Sequence, residues 1–280
     1  MKCRKCAQAQ DWKDMIKDIT IGQYYQAESI IHRLDPRVKL MGTLVFIISL
    51  FLGMNIWIYA FVTVELAAVI AISKIPLKFM VRGLKSIVIL IIISAVFNLF
   101  LTPGETLIQI WKLTITYEGL KTAIFMVVRL VYLILGTSLM TLTTTPNNLT
   151  DGLEKGLGFL KYIKVPVHEI AMMMSIALRF IPILVEETDK IMKAQMARGA
   201  DFENGNIIKR AKAMVPILVP LFVSAFRRAN ELAMAMEARC YHGSEGRTKM
   251  KPLKYAKRDK IAYLCMFAYL GVLILIKIFV

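Results

Sequence analysis

The chain has 280 residues, 57% of them hydrophobic, and a formal net charge of +16. Ordinary soluble domains are about half apolar and about a quarter charged, and the positive charge comes without a recognisable nucleic-acid-binding module. The composition therefore argues against a soluble globular domain and a nucleic-acid partner. It predicts an all-α integral membrane protein in a lipid bilayer, with Lys and Arg gathered on the cytoplasmic side.

Residues 1–30 read as a polar N-terminal cytoplasmic segment. The first fourteen residues, "MKCRKCAQAQDWKD", lack the apolar stretch of a signal peptide, and Met15 offers an alternative start. Cys3 and Cys6 form a C-x-x-C, but no second pair and no histidine pair completes a zinc site. No metal and no cofactor is expected.

Residues 31–145 read as transmembrane helices one to four. In "IHRLDPRVKL", Asp35 suits an N-cap and Pro36 the first helical position, where its missing N–H costs nothing. A helix start with snorkelling cations accounts for this stretch structurally. The apolar run at 38–72 is too long for one span, which needs about 20 residues, and Gly53 and Asn55 supply a break. Helices are predicted at 38–53 and 56–73, then at 86–102 after the basic "SKIPLKFMVRGLK". "TLIQIWKLTITYEG" (106–119) alternates apolar and polar residues, as a short hairpin or re-entrant loop would, and a fourth helix follows to 143. The basic connections, His32–Lys39 and Lys74–Lys85, place the N-terminus in the cytoplasm.

Residues 146–260 carry 20 Lys+Arg against 12 Asp+Glu and hold no window that reads as a clean span. They are predicted to form a cytoplasmic domain. "PNNLTDGLEKGL" opens a short helix. Two long amphipathic patterns follow, one through Ile170, Met173, Met174, Ala177, Leu178 and Ile181, the other through Ile208, Met214, Val215, Leu218, Phe222 and Phe226. Pro182 falls inside the first, Pro216 and Pro220 inside the second, so both are expected to bend. A last transmembrane helix, 261–280, brings the total to about five.

Catalysis has no visible constellation. The histidines are His32, His168 and His242, and there is no HExxH, P-loop or G-x-S-x-G. Glu65 and Arg129 are the main charges inside spans, and helix packing accounts for each. No catalytic residue is assigned.

The two long patterns end alike, on Ala197-Arg198-Gly199 in "KAQMARGADF" and on Ala238-Arg239-Cys240 in "MEARCYHG". Glycine can stop a helix in the left-handed conformation. Small alanines admit a close partner, and arginine offers a planar fork of five donors. A C-terminal arginine complementing the helix dipole would explain one such end. Two copies point to two docking contacts.

Taken with "ITIGQYY" (19–25), "HRLDPRVKL" (32–40), "RFIPIL" (179–184), "VPILVPLF" (215–222) and "ANELAMAMEARCY" (229–241), these motifs resemble the transmembrane T component of energy-coupling factor (ECF) transporters. The resemblance covers most of the chain after Met15. It implies a non-catalytic scaffold that joins two ABC-type ATPase subunits to a small membrane S component, which binds a vitamin or metal ion. Residues 197–199 and 238–240 would then be the ATPase-docking triplets on coupling helices. The upstream stripes, with Met172, Met173, Pro182, Pro216, Pro220 and Phe222, would contact the S component. Methionine at helical spacing also serves plain packing. The second triplet departs from the family's Ala-Arg-Gly at Cys240, which puts a glycine-type helix stop there in doubt. Two alternatives stay open: a permease subunit of a conventional ATP-driven importer, whose acidic loop position is here Lys193, and an intramembrane enzyme.

Overall fold

The computed structural model describes residues 24–53, 55–103, 106–110, 113–200, 202, 207–243, 250 and 252–279. The C-x-x-C, the Met15 start and residues 19–23 of "ITIGQYY" lie outside the described residues. The chain is predominantly helical, with one two-stranded hairpin, and divides into two compact units. One comprises Gly22–Gly156 with Leu253–Val280; the other contains Leu157–Pro252.

In the first unit, α1 spans Pro36–Leu50, and the Asp35 carboxylate accepts from the Arg37 N–H at 3.0 Å. Its 15 residues extend about 22 Å, less than the roughly 30 Å of a bilayer's hydrocarbon core. The Asn55 side chain caps α2, Ile56–Ser73. The third helix starts well before residue 86: α3 runs Leu77–Leu101 and bends by 61° between Lys85 and Ile87. The basic stretch looked like a loop because its cations were counted as a connection. Buried Ile75 and Met80 pack with Leu142 instead, so this segment has an inner face.

The 106–119 stretch is a hairpin, β1 (Thr106–Ile110) against β2 (Leu113–Thr116), antiparallel with Ile110 opposite Leu113. Helix α4 follows at Tyr117–Thr143, capped by the Thr116 hydroxyl, which accepts from Gly119 N–H. The short α5, Pro146–Gly156, packs on α1. The unit closes with α8, Lys257–Phe279.

Leu50, Ile58, Tyr59, Val62, Tyr269 and Leu273 from α1, α2 and α8 form the core of this unit. At the α1–α4 crossing a Cβ on Gly136 would lie 2.5 Å from Phe46 Cε1, so any larger residue would have to displace the Phe46 ring, and glycine permits the close approach that small residues give in membrane helix packing. Polar groups in the core are tied together. The Ser49 and Tyr269 hydroxyls are 2.7 Å apart. Arg129 Nε donates to the Tyr59 hydroxyl at 3.0 Å, and its guanidinium lies over the Phe51 ring. Arg129 thus faces protein.

The "HRLDPRVKL" stretch is a junction. Lys39 Nζ donates to the carbonyls of His32 and Thr143 at 3.2 and 2.8 Å, and the Arg37 guanidinium lies over the Tyr255 ring. The His32 ring bridges the Ser29 hydroxyl at 2.7 Å and the Tyr25 carbonyl at 3.0 Å. Burial lowers its pKa below the usual 6.5 against the raising effect of the Tyr25 hydrogen bond, and the Lys39 charge lowers it further. The neutral ring satisfies both contacts, with Nε2–H donating to Tyr25 and Nδ1 accepting from Ser29.

Buried Asp259 joins two helix starts. One carboxylate oxygen accepts from the Asp35 N–H at 2.9 Å, ahead of α1, and the other from the Ala256 N–H at 2.7 Å, ahead of α8.

The second unit contains a short 3₁₀ helix, Gly158–Ile163, and two 31-residue helices, α6 (Val167–Ala197) and α7 (Ile207–Glu237). Pro182 lies inside α6, and Pro216 and Pro220 inside α7. One expectation needs correction here. By length and composition Val167–Ala197 is apolar enough to cross a membrane, as are α2, α4 and α8; α3 makes a fifth if its bent halves are one span. The stripe reading weighed only one face of α6 and missed that the residues between the stripe positions, among them Ala171, Met172 and Ser175, are also small or apolar.

Candidate functional site: two matched helix ends

The last turns of α6 and α7 have the same geometry. In α6, Gly199 N–H donates to Met196 O at 3.0 Å and Ala200 N–H to Gln195 O at 3.0 Å, with Gly199 at φ +90°. In α7, Cys240 N–H donates to Glu237 O at 2.8 Å and Tyr241 N–H to Met236 O at 3.1 Å, with Cys240 at φ +55°. Each end thus closes with a six-to-one hydrogen bond around one left-handed residue, which satisfies carbonyls that a helix end otherwise leaves unpaired. Ala197-Arg198-Gly199 and Ala238-Arg239-Cys240 correspond position by position.

The doubt about Cys240 is therefore removed. Cysteine takes the glycine conformation and bears its cost, roughly 1–2 kcal/mol for an L-residue held there. Cys240→Gly is expected to raise the melting temperature by about 2–4 °C, the shift for about 1 kcal/mol in a protein of this size. Thermal unfolding in detergent checks this; a lower melting temperature would show that the thiol makes a compensating contact.

Arg198 and Arg239 follow the last helical turns directly, and both are exposed. Among the described residues neither guanidinium has an ion-pair partner. Both are thus available to a partner surface, next to alanines that add little bulk.

The two helices touch upstream of these ends. Glu187 of α6 accepts from the Ser224 hydroxyl at 2.5 Å and from Arg228 Nη2 at 3.1 Å, both on α7. Beyond this contact no proline interrupts either helix. At a rise of 1.5 Å per residue, Arg198 lies about 16 Å beyond Glu187 along α6 and Arg239 about 22 Å beyond Ser224 along α7. The pair resembles two stiff arms held at a polar pivot. Sequence reasoning missed this pivot. Its trace was present: Ser224 and Arg228 stand four apart on one face of amphipathic α7, and Glu187 follows shortly after the α6 stripe. Glu187→Ala is expected to lower the melting temperature by roughly 2–4 °C, with Glu187→Gln intermediate because it can still accept from Ser224. An unchanged melting temperature in Glu187→Ala would remove the pivot.

Among the residues expected to contact an S component, Met173, Pro182, Pro216, Pro220 and Phe222 are exposed and Met172 is half-buried. An apolar groove of about 270 Å³ runs between α6 and α7, lined by Ile176, Phe180, Leu184, Ala229, Leu232 and Met236. Among the described residues, His, Cys, Asp and Glu form no cluster able to hold a metal ion.

Comparison with known proteins bears on the family of the chain. A family model described as cobalt transport protein matches residues 27–250. The energy-coupling factor transporter transmembrane protein EcfT of Clostridium kluyveri is 57% identical over 267 residues, covering 94% of this chain and 98% of the relative. The protein of that name from Thermosediminibacter oceani is 55% identical, covering 89% and 94%. That of Bacillus subtilis is 49% identical, covering 88% and 93%. The paired arginine-bearing helix ends, the apolar helices and the near full-length identity lead to one conclusion: this chain belongs to the EcfT family, the non-catalytic, multi-pass transmembrane T components of energy-coupling factor transporters.

Proposed function

We propose that this chain is the scaffold of an ATP-driven importer of a vitamin or metal ion, and that it transmits ATP-driven motion of two ATPase subunits to a substrate-binding S component. The observation that carries this reading is the duplicated helix end: two exposed arginines, each fixed by the same left-handed turn, at the tips of two helices joined by Glu187. One arginine tip would seat in each ATPase subunit. The apolar side chains upstream, Met173, Met174, Phe222 and Phe226, are exposed, as a face awaiting an apolar partner would be. The N-terminus and the arginine-bearing tips of α6 and α7 lie in the cytoplasm in this reading, because the basic connections gather there.

Co-expression tests the assembly. The chain is expected to co-purify with two ATPase subunits and one S component, and a chain that remains alone in their presence would refute the scaffold. Orientation is read on the same complex. With Cys3, Cys6 and Cys265 replaced by serine, exposed Cys240 is the remaining thiol. It should react with a membrane-impermeant reagent only from the cytoplasmic side, and more slowly once the ATPases are bound.

A further inference from the structure

A recess of about 830 Å³ opens in the membrane-helix unit where α2 ends and α8 begins. Its wall includes Arg33, Lys74 and Arg258, and one acid, Glu28. Glu28 is engaged by Arg33 at 3.0 Å. Lys74 and Arg258 are exposed and have no carboxylate partner among the described residues. The recess therefore presents two uncompensated positive charges. Exposed Ile30, Ile72 and Ile261 border the same opening. Ile72 lies in the last turn of α2 and Ile261 in the second turn of α8, so the apolar rim continues along two helices long and apolar enough to span the bilayer.

The geometry points to a binding site for one anionic phospholipid, its phosphate between Lys74 and Arg258 and its acyl chains along Ile72 and Ile261. Basic pockets between membrane helices recognise anionic headgroups in this way, with arginine supplying a fork for phosphate oxygens and lysine a point charge. A soluble phosphate would satisfy the charges but gain nothing from the isoleucines. An acidic protein segment would leave the same isoleucines against a polar chain. The lipid matches both halves of the recess. This inference rests on the membrane placement of α2 and α8 and not on the docking role of the arginine tips.

The test uses the full chain reconstituted in nanodiscs of phosphatidylglycerol and phosphatidylcholine in equal amounts, then extracted gently into detergent. Native mass spectrometry counts the lipids retained. The wild-type chain should keep one phosphatidylglycerol in preference to phosphatidylcholine. Each surface cation contributes about fivefold to anionic-lipid binding, so Lys74→Ala with Arg258→Ala should weaken retention about 25-fold. Should the double variant fail to fold, the single variants each read about fivefold, and Lys74→Arg keeps the lipid. Lys78→Ala, an exposed cation outside the recess, serves as the control and leaves retention unchanged. Equal retention in wild type and the recess variants overturns the site. Displacement of the lipid by millimolar inorganic phosphate would make it a free-anion site. Loss of ATPase co-purification with the lipid retained would make it a protein contact. Either result overturns the lipid assignment.

Discussion

Replacing Arg198 and Arg239 together by alanine is expected to abolish substrate uptake by the assembled transporter, and each single change to reduce it severely. In the proposed coupling, force on the membrane subunit enters at helix tips seated in the ATPases. A guanidinium seated in a groove makes several charge-assisted hydrogen bonds, and truncating such a buried partner costs about 2–5 kcal/mol. The fold itself should be unaffected, because neither arginine has an ion-pair partner among the described residues of its own chain. Arginine→lysine keeps the charge but loses the planar fork, so it should rescue uptake only in part. ATP hydrolysis should continue, uncoupled from transport. If the arginines only complement the helix dipoles, the loss is roughly 0.3–1 kcal/mol of stability, with transport nearly intact. Uptake at matched expression separates the two accounts, and near-normal uptake in the double alanine variant would falsify the coupling role.

The largest stability effect is expected at Asp259. Asp259→Ala leaves the Asp35 and Ala256 N–H groups without their acceptors in a site where the aspartate is only 2% exposed. Each buried donor left unpaired costs about 1–3 kcal/mol. The anion also sits at two helix N-termini, where negative charge is favoured. A combined loss of roughly 2–5 kcal/mol should lower the melting temperature by about 5–15 °C. Asp259→Asn should fall between, since one amide oxygen can accept while the amide NH₂ faces a donor. Thermal unfolding in detergent is the measurement. A melting temperature within 2 °C of wild type in Asp259→Ala would mean that water or another group takes over both donors.

The contrast between these two sites shows what was legible beforehand. Arg198 and Arg239 could be found without coordinates because their signature is local: a small residue, an arginine and another small residue ending each of two patterned helices. Asp259 stands in the basic first turn of the last helix and looked like one charge among many. Its partner Asp35 is 224 residues away. No spacing rule reaches that far, and a capping carboxylate serving a second helix leaves no periodic trace.

Hydropathy and local capping by themselves determined that the chain is a helical membrane protein, that α1 begins at Asp35-Pro36, that a short hairpin or re-entrant loop interrupts the span series, and that two long helices end on twin arginines. These follow from interactions within a few residues of each other, which a pattern can encode. The tertiary structure decided the rest. The basic stretch before residue 86 became helix because Met80 found a buried seat. Arg129 became a packing group because Tyr59 and Phe51 met it from neighbouring segments. Glu187 became a pivot because α7 brought Ser224 and Arg228 to it. Cys240 took a conformation that a residue with a side chain disfavours, because the closing hydrogen bond from Tyr241 to Met236 holds the turn. Each of these depends on which surfaces meet, and a buried charge or a strained turn persists only where its surroundings compensate it.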